Sequence, residues 1–233
     1  QIGVGNKMQE TSLLKLENIT DPISYFAAHL EKELNNRQMP VKCVVAKNPS
    51  AGMTLIIKRY QIASVRATGF SPWETMHVFS ATLVAGSQNK IIKSYFYNGK
   101  VPVWSMNEIL EPCFNIPISI MIKDIASKIN QAAFNLRSSD QRVKALTADI
   151  NAKIAANDFT DFWKVLELGY TNNPAAAEPL KRFARMGDEF FKSCAISSIG
   201  TLGTTQEMAF LKKCYADGAA SFNDRYLAVK AMG

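Results

Sequence analysis

Residues 53–99 read MTLIIKRYQIASVRATGFSPWETMHVFSATLVAGSQNKIIKSYFYNG, and this stretch decides the fold of the front half. Three runs, Met53 to Ala67, Met76 to Ala85 and Lys90 to Asn98, are rich in β-branched and aromatic residues. Between them stand Gly69-Phe70-Ser71-Pro72 and Gly86-Ser87-Gln88-Asn89, and Asn98-Gly99 follows, all with the residue types that turns require. The spacing predicts long antiparallel strands. In the middle run Met76, Val78, Ser80, Thr82 and Val84 alternate with His77, Phe79, Ala81, Leu83 and Ala85. The second set makes the more apolar face of a pleated strand, and that face should meet a helix.

Helical spacing appears on both sides of this stretch. Upstream, Ile23, Phe26, Ala27, Leu30 and Leu34 recur at three- and four-residue intervals, with Glu31 and Glu33 on the other face. Thr20 or Asp21 can cap this helix, Pro22 suits its first turn, and Asn36 to Pro40 ends it. A further β-rich segment, Val41 to Ala46, precedes a turn at Asn48 to Gly52. Downstream, Ile118, Ile122, Ile125, Ile129 and Ala132 form a stripe that Met121 and Phe134 widen, beginning near Pro117. The expected result is an α+β architecture over residues 13–139, two helices on one face of an antiparallel sheet with the other face partly wet. Residues 1–12, with Gly3 and Gly5 and no sustained apolar period, read as a flexible tail. Gln1 in place of Met reads as a processed or trimmed start, and the tail as a tether to a removed or lipid-bearing segment.

Past Ser138-Ser139-Asp140 no β signal remains. Gln141 to Ala156, Phe159 to Leu168, Ala175 to Met186, Asp188 to Ile199, Thr205 to Ala216 and Asn223 to Met232 all read as short helices, giving an all-α domain over 140–233. Within it, Cys194-Ala195-Ile196-Ser197-Ser198-Ile199-Gly200 aligns with Leu227-Ala228-Val229-Lys230-Ala231-Met232-Gly233 at an offset of 33 residues. An acidic residue, Asp188 or Asp224, stands ahead of each copy.

On those residues the region resembles HEAT repeats, although the proline usual in their first helix is absent and Arg225-Tyr226-Leu227 follows Asp224. A set of generic helical hairpins is the alternative. The resemblance implies a stacked array whose helical pairs each need a neighbour to cover their apolar sides. Under either reading Leu227, Val229 and Met232 have no following helix, which reads as a trimmed chain or as an end that packs on a partner protein or on a second copy, a homo-oligomer. The front half, from Leu16-Glu17-Asn18-Ile19-Thr20-Asp21 through its strands and Ile-rich helix, resembles small α/β domains of bacterial cell-envelope lipoproteins. That likeness implies a periplasmic or outer-membrane-associated protein, with a cytoplasmic location as the alternative.

The chemistry-bearing residues are sparse. Neither a GxGxxG nor a GxxxxGK[ST] pattern occurs, so no nucleotide cofactor is expected. His29 and His77 lie in a helix and a strand with no nucleophile elbow near them, and carboxylate pairs such as Glu31 with Glu33 or Glu108 with Glu111 sit among solvated residues. No catalytic residue is expected. Cys43, Cys113, Cys194 and Cys214 show no CxxC spacing and flank neither histidine, which argues against a metal site. The thiols read either as two disulfides, paired within each half, or as small buried hydrophobes. The most apolar stretch, Phe114 to Ile122, is interrupted by Asn115, Pro117 and Ser119, too short and too broken to span a bilayer.

Charge is unevenly placed. Residues 1–139 hold 15 Lys+Arg against 9 Asp+Glu, and residues 140–233 hold 12 against 11. Lys58, Arg59, Tyr60 and Arg66 on the first long strand, Lys90, Lys93, Tyr95 and Tyr97 on the third, and Trp73 and Trp104 in flanking loops make a basic and aromatic cluster. From it, Lys58, Arg59, Arg66, Trp73, Lys93, Tyr95 and Trp104 are the candidate partner-binding residues. The expected function is a non-catalytic adaptor or assembly protein binding an envelope protein, with membrane association through an anchor ahead of Gln1. The alternative is a nucleic-acid-binding protein that stacks bases on a basic sheet.

Overall fold

A computed structural model describes residues 2–4, 10–12, 21–48, 52–158, 162–186, 188–203, 205–218 and 220–232. The turn at 49–51, the stretch 13–20 that carries Thr20 and the Leu16-to-Thr20 resemblance, the start of the helix expected at Phe159, and Gly233 of the internal repeat all lie outside the described residues. The chain divides into two compact units, 1–133 and 134–233.

In the first unit, α1 (Pro22–Asn36) starts where expected: the Asp21 carboxylate accepts from the Ile23 amide at 3.0 Å and Pro22 occupies the first turn. It buries Phe26, Leu30 and Leu34. Three strands of 13 residues follow, β3 (Met53–Val65), β4 (Trp73–Ala85) and β5 (Gln88–Lys100), paired antiparallel in sequence order. Ala85 pairs with Gln88 across a two-residue turn in which Gly86 takes φ +60°, a conformation that favours glycine. Asn98-Gly99 is not a turn; both residues continue β5, pairing with Thr75 and Glu74.

One other expectation is corrected here. Val41 to Ala46 is not a strand. Its amides are drawn back to α1 instead: the Val41 amide to Asn35 Oδ1 at 3.3 Å and the Cys43 amide to the Glu31 carboxylate at 2.9 Å, leaving Val44 and Val45 exposed. The tail expected over 1–12 contributes β1 (Ile2–Val4) and β2 (Glu10–Ser12), paired with each other, with Ile2 meeting Ser64 in parallel. The compact units divide at 133/134, near the boundary expected at 139/140. Residues ahead of Asp140 are bound into the helical unit, where the Ser138 amide donates to the Thr171 carbonyl and the Asn173 amide group donates to the Ser138 carbonyl.

Trp73, Thr75, His77, Phe79, Ala81 and Leu83 of β4 are all buried on the inner face. The face is covered by α1, whose Phe26 ring stacks on Phe79 with centroids 5.3 Å apart, and by α3 (Ile116–Ile129), which buries Ile120, Met121, Ile122, Ile125 and Ile129. Arg37 at the end of α1 pairs with Glu33 and donates to the Lys123 carbonyl, tying the two helices together. A short helix α2 (Asn107–Leu110) and a wide turn, Glu111–Asn115, lead into α3 and close one end over Trp73, Ile109 and Cys113.

The second unit is all helical: α4 (Asp140–Ala155), α5 (Lys164–Gly169), α6 (Ala177–Phe183), α7 (Glu189–Thr201), α8 (Met208–Ala216) and α9 (Phe222–Met232). They pack as the pairs α4/α5, α6/α7 and α8/α9, and the second members stack on one another, α5 on α7 and α7 on α9. Small residues set the approach. A Cβ on Gly169 would lie 2.8 Å from the Ser198 carbonyl oxygen, and one on Gly200 would lie 2.6 Å from Ala231 Cα. The Ser198 hydroxyl also donates to the Val165 carbonyl at 3.1 Å. α7 is apolar on several sides because it touches α5, α6 and α9. The whole is an α+β front domain followed by stacked helical pairs of HEAT-like architecture.

The structure fixes the repeat's register. Asp188 caps α7 by accepting from the Phe191 amide at 2.9 Å, and Ser221 caps α9 by accepting from the Asp224 amide at 3.1 Å. These caps, not Asp188 and Asp224, are the pair 33 positions apart. Asp224 stands three residues inside the cap, where its carboxylate accepts from the Ser221 amide in a reciprocal capping box.

Candidate binding surface

The two faces of the sheet are unequal because both helices occupy one of them. Strand register places the outward residues in rows: Ala63, Met76 and Tyr97; Gln61, Val78 and Tyr95; Arg59, Ser80 and Lys93; Ile56, Thr82 and Ile91. Four large apolar side chains in these rows face solvent, Ile91 at 69%, Tyr97 at 49%, and Met76 and Ile56 at 40% each. Ile91 and Ile56 flank the row that carries Arg59 and Lys93, and the Val78 and Tyr95 row separates that basic pair from Met76 and Tyr97. Partial burial, followed by its hydrogen bond to Glu74, pushes the Tyr97 phenol up to about 12, so it stays neutral at physiological pH.

Of the residues expected to bind a partner, Arg59, Lys93 and Tyr95 share this outward face. The Arg59 guanidinium is held by Gln61 Oε1 on the same face, Nε to oxygen 3.0 Å. Lys58 is exposed at an irregularity where pairing steps from Ile57 to Arg59, so it belongs to no row. Arg66 is drawn inward: it donates to the carbonyls of Gly69 and Ser71 and shapes the loop between β3 and β4. Lys90, in the same cluster, spends its ammonium on the Ala132 carbonyl at 2.8 Å.

Trp73 is a correction. It is 4% exposed and packs on Ile109 and Cys113, because the strand begins at Trp73, three residues before the expected Met76, and turns the indole inward. Tyr60 likewise joins the core, its ring 5.7 Å from Phe26, and burial raises its phenol. The exposed aromatics at that end of the sheet are Phe70 at 95% and Trp104 at 84%, on loops leaving adjacent ends of β4 and β5, where Trp73 pairs with Lys100. Phe70 is legible only as part of the loop motif; Arg66 and Thr68 fasten the loop backbone that carries it.

All four cysteines are free thiols, so the pairing within each half does not form. Cys113 is enclosed by Trp73 and Ile109 and its Sγ donates to the Trp73 carbonyl at 3.8 Å. Cys194 is buried within α7, and burial raises both thiols. His29 is exposed on α1, where its ring lies 3.9 Å from that of Tyr25.

Among the described residues no group of three or more His, Cys, Asp or Glu is placed to hold a metal ion, and no helix is long and apolar enough to cross a membrane. Comparison with protein-family models, with curated proteins and with solved structures finds no match.

Proposed function

We propose that the chain is a non-catalytic adaptor of the cell envelope, in which the front unit binds one envelope protein through its outer sheet face and the helical unit serves a second. The helical-pair architecture is consistent with a protein-binding scaffold in general terms. The observation that carries the reading is the outer sheet face itself. Ile56, Met76, Ile91 and Tyr97 stay in water beside Arg59 and Lys93, a mixture of apolar, aromatic and basic side chains typical of interface centres. Phe70 and Trp104 extend the contact from the loops at the sheet's end.

The test is recovery of partners from envelope fractions by the intact protein and by a Met76→Glu/Ile91→Glu variant. The adaptor reading expects a discrete protein bound by the first and lost from the second. The same set from both sinks it.

The row of Arg59 and Lys93 beside Tyr95 favours one second reading, binding of single-stranded nucleic acid by charge and stacking. Its signature is affinity for single-stranded RNA or DNA that falls steeply with salt and is lost in Tyr95→Ala.

A further inference from the structure

The stacking of α7 on α9 supplies a template for a second use of the same geometry. On α7 the residues that receive α9 are Lys192, whose ammonium pairs with Asp224 Oδ2 at 2.7 Å, and Ser193, whose hydroxyl accepts from Asn223 Nδ2 at 3.0 Å. Ile196, fully buried, and Gly200, pressed against Ala231, complete the seat. These contacts join start to start and end to end, so the two helices run parallel.

With the caps Asp188 and Ser221 33 positions apart, the positions on α9 equivalent to Lys192, Ser193 and Ile196 are Arg225, Tyr226 and Val229. The equivalence is tested by the buried side: Ala195 and Ala228 are both fully buried, and Ser198 and Ala231 each face the glycine of the preceding second helix. Arg225, Tyr226 and Val229 are instead exposed, Tyr226 at 44% and Val229 at 51%. Among the described residues Arg225 makes no ion pair, and its guanidinium donates to the Asp217 backbone carbonyl at 3.2 Å.

We infer that Arg225, Tyr226 and Val229 form a receiving edge for a partner helix of α9's own chemistry: a helix with an Asp three residues after a Ser or Thr cap, and a small residue two turns further on. The Asp would meet Arg225 as Asp224 meets Lys192. Tyr226 and Val229 would then lose their contact with water, and the edge's positive charge selects an acidic helix start over a basic one. This inference rests on the reading of the helical unit as a binding array and is independent of the outer sheet face.

The probe is a synthetic peptide of residues 220–232, acetylated and amidated, titrated into the intact ¹⁵N-labelled protein. Amide shifts should move at Arg225, Tyr226 and Val229. Arg225→Glu or Val229→Glu, both at exposed positions, should weaken binding by about tenfold or more, as should Asp224→Asn in the peptide alone. Absence of shifts at millimolar peptide overturns the inference. So does binding that survives Arg225→Glu but fails in Lys192→Gln, which would mean that the peptide has replaced α9 in its own seat. Neither outcome touches the sheet-face reading, whose variants lie in the other unit.

Discussion

His77 Nε2 lies 2.8 Å from the carbonyl oxygen of Cys113, and this contact gives the buried imidazole a structural partner. In a regular helix the Cys113 carbonyl would accept from the amide four residues on, which is Pro117 and has no N–H. One residue earlier, the wide turn sends the Ile116 amide to the Glu111 carbonyl and frees that of Pro112, which accepts from Asn98 Nδ2 at 2.6 Å. Two strand side chains thus complete a helix entrance that its own backbone cannot. Because a carbonyl only accepts, Nε2 carries the proton, and buried Nδ1 has no partner among the described residues.

Stability should therefore fall with acid. Burial holds the imidazole below its ordinary value of 6.5, against the opposing pull of the Cys113 carbonyl. The unfolded chain takes up the proton first, so the contribution of neutral His77 is full above about pH 6.5 and declines as pH drops through the lower folded value. Denaturant melts of wild type and His77→Gln across pH 7.5 to 4.5 check this. The variant should be less stable at neutral pH and lose the part of the slope that begins near pH 6.5.

Gly200→Ala should destabilise the helical unit, by about 1 to 3 kcal/mol, although alanine normally favours a helix over glycine by about 1 kcal/mol. The new methyl meets Ala231 at 2.6 Å, mostly against backbone. Chemical denaturation gives the sign, and pairing the change with Ala231→Gly should recover part of the loss. A stabilised single variant would mean that α7 and α9 do not approach as described.

Trp73 and Phe70 should separate stability from binding. Trp73→Ala empties a buried site and should cost about 3 to 5 kcal/mol. Phe70→Ala, at a fully exposed ring, should stay within about 0.5 kcal/mol of wild type. Thermal and denaturant unfolding of both variants decides it, and similar losses in the two would contradict their placement.

These two residues show what the sequence makes legible. Strand alternation places Phe79, His77 and Leu83 inward, and helical spacing identifies Phe26, Ile122 and Ile125 as their cover, because burial follows a period of 2 or 3.6. Where a strand begins is not periodic, so Trp73 reads as loop although it opens β4. Val41 to Ala46 has strand composition, but Glu31 and Asn35, close in space, take its amides. Arg59, Lys93 and Tyr95 were readable as one basic, aromatic group; that Ile56, Met76 and Ile91 join them depends on register and on which face the helices occupy. The small-residue contacts between Gly169 and Ser198 and between Gly200 and Ala231 are likewise invisible until the helices are stacked.

Thiol reactivity should follow burial. Cys43 and Cys214 are half-buried and should react with Ellman's reagent in the native protein, slowly because burial raises both. Cys113 and Cys194 should react only on unfolding. Four thiols should titrate in denaturant without reductant, and fewer would show a disulfide.

The most direct measurement of the adaptor reading is site-specific photo-crosslinking in envelope extracts, with a photoreactive phenylalanine analogue at Ile91 on the outer sheet face or at Val44, exposed outside the sheet. The expected result is one discrete protein adduct from Ile91, absent from Val44 and absent when Met76 is also changed to Glu. No adduct from Ile91, or the same adducts from both positions, contradicts a docking function for that face.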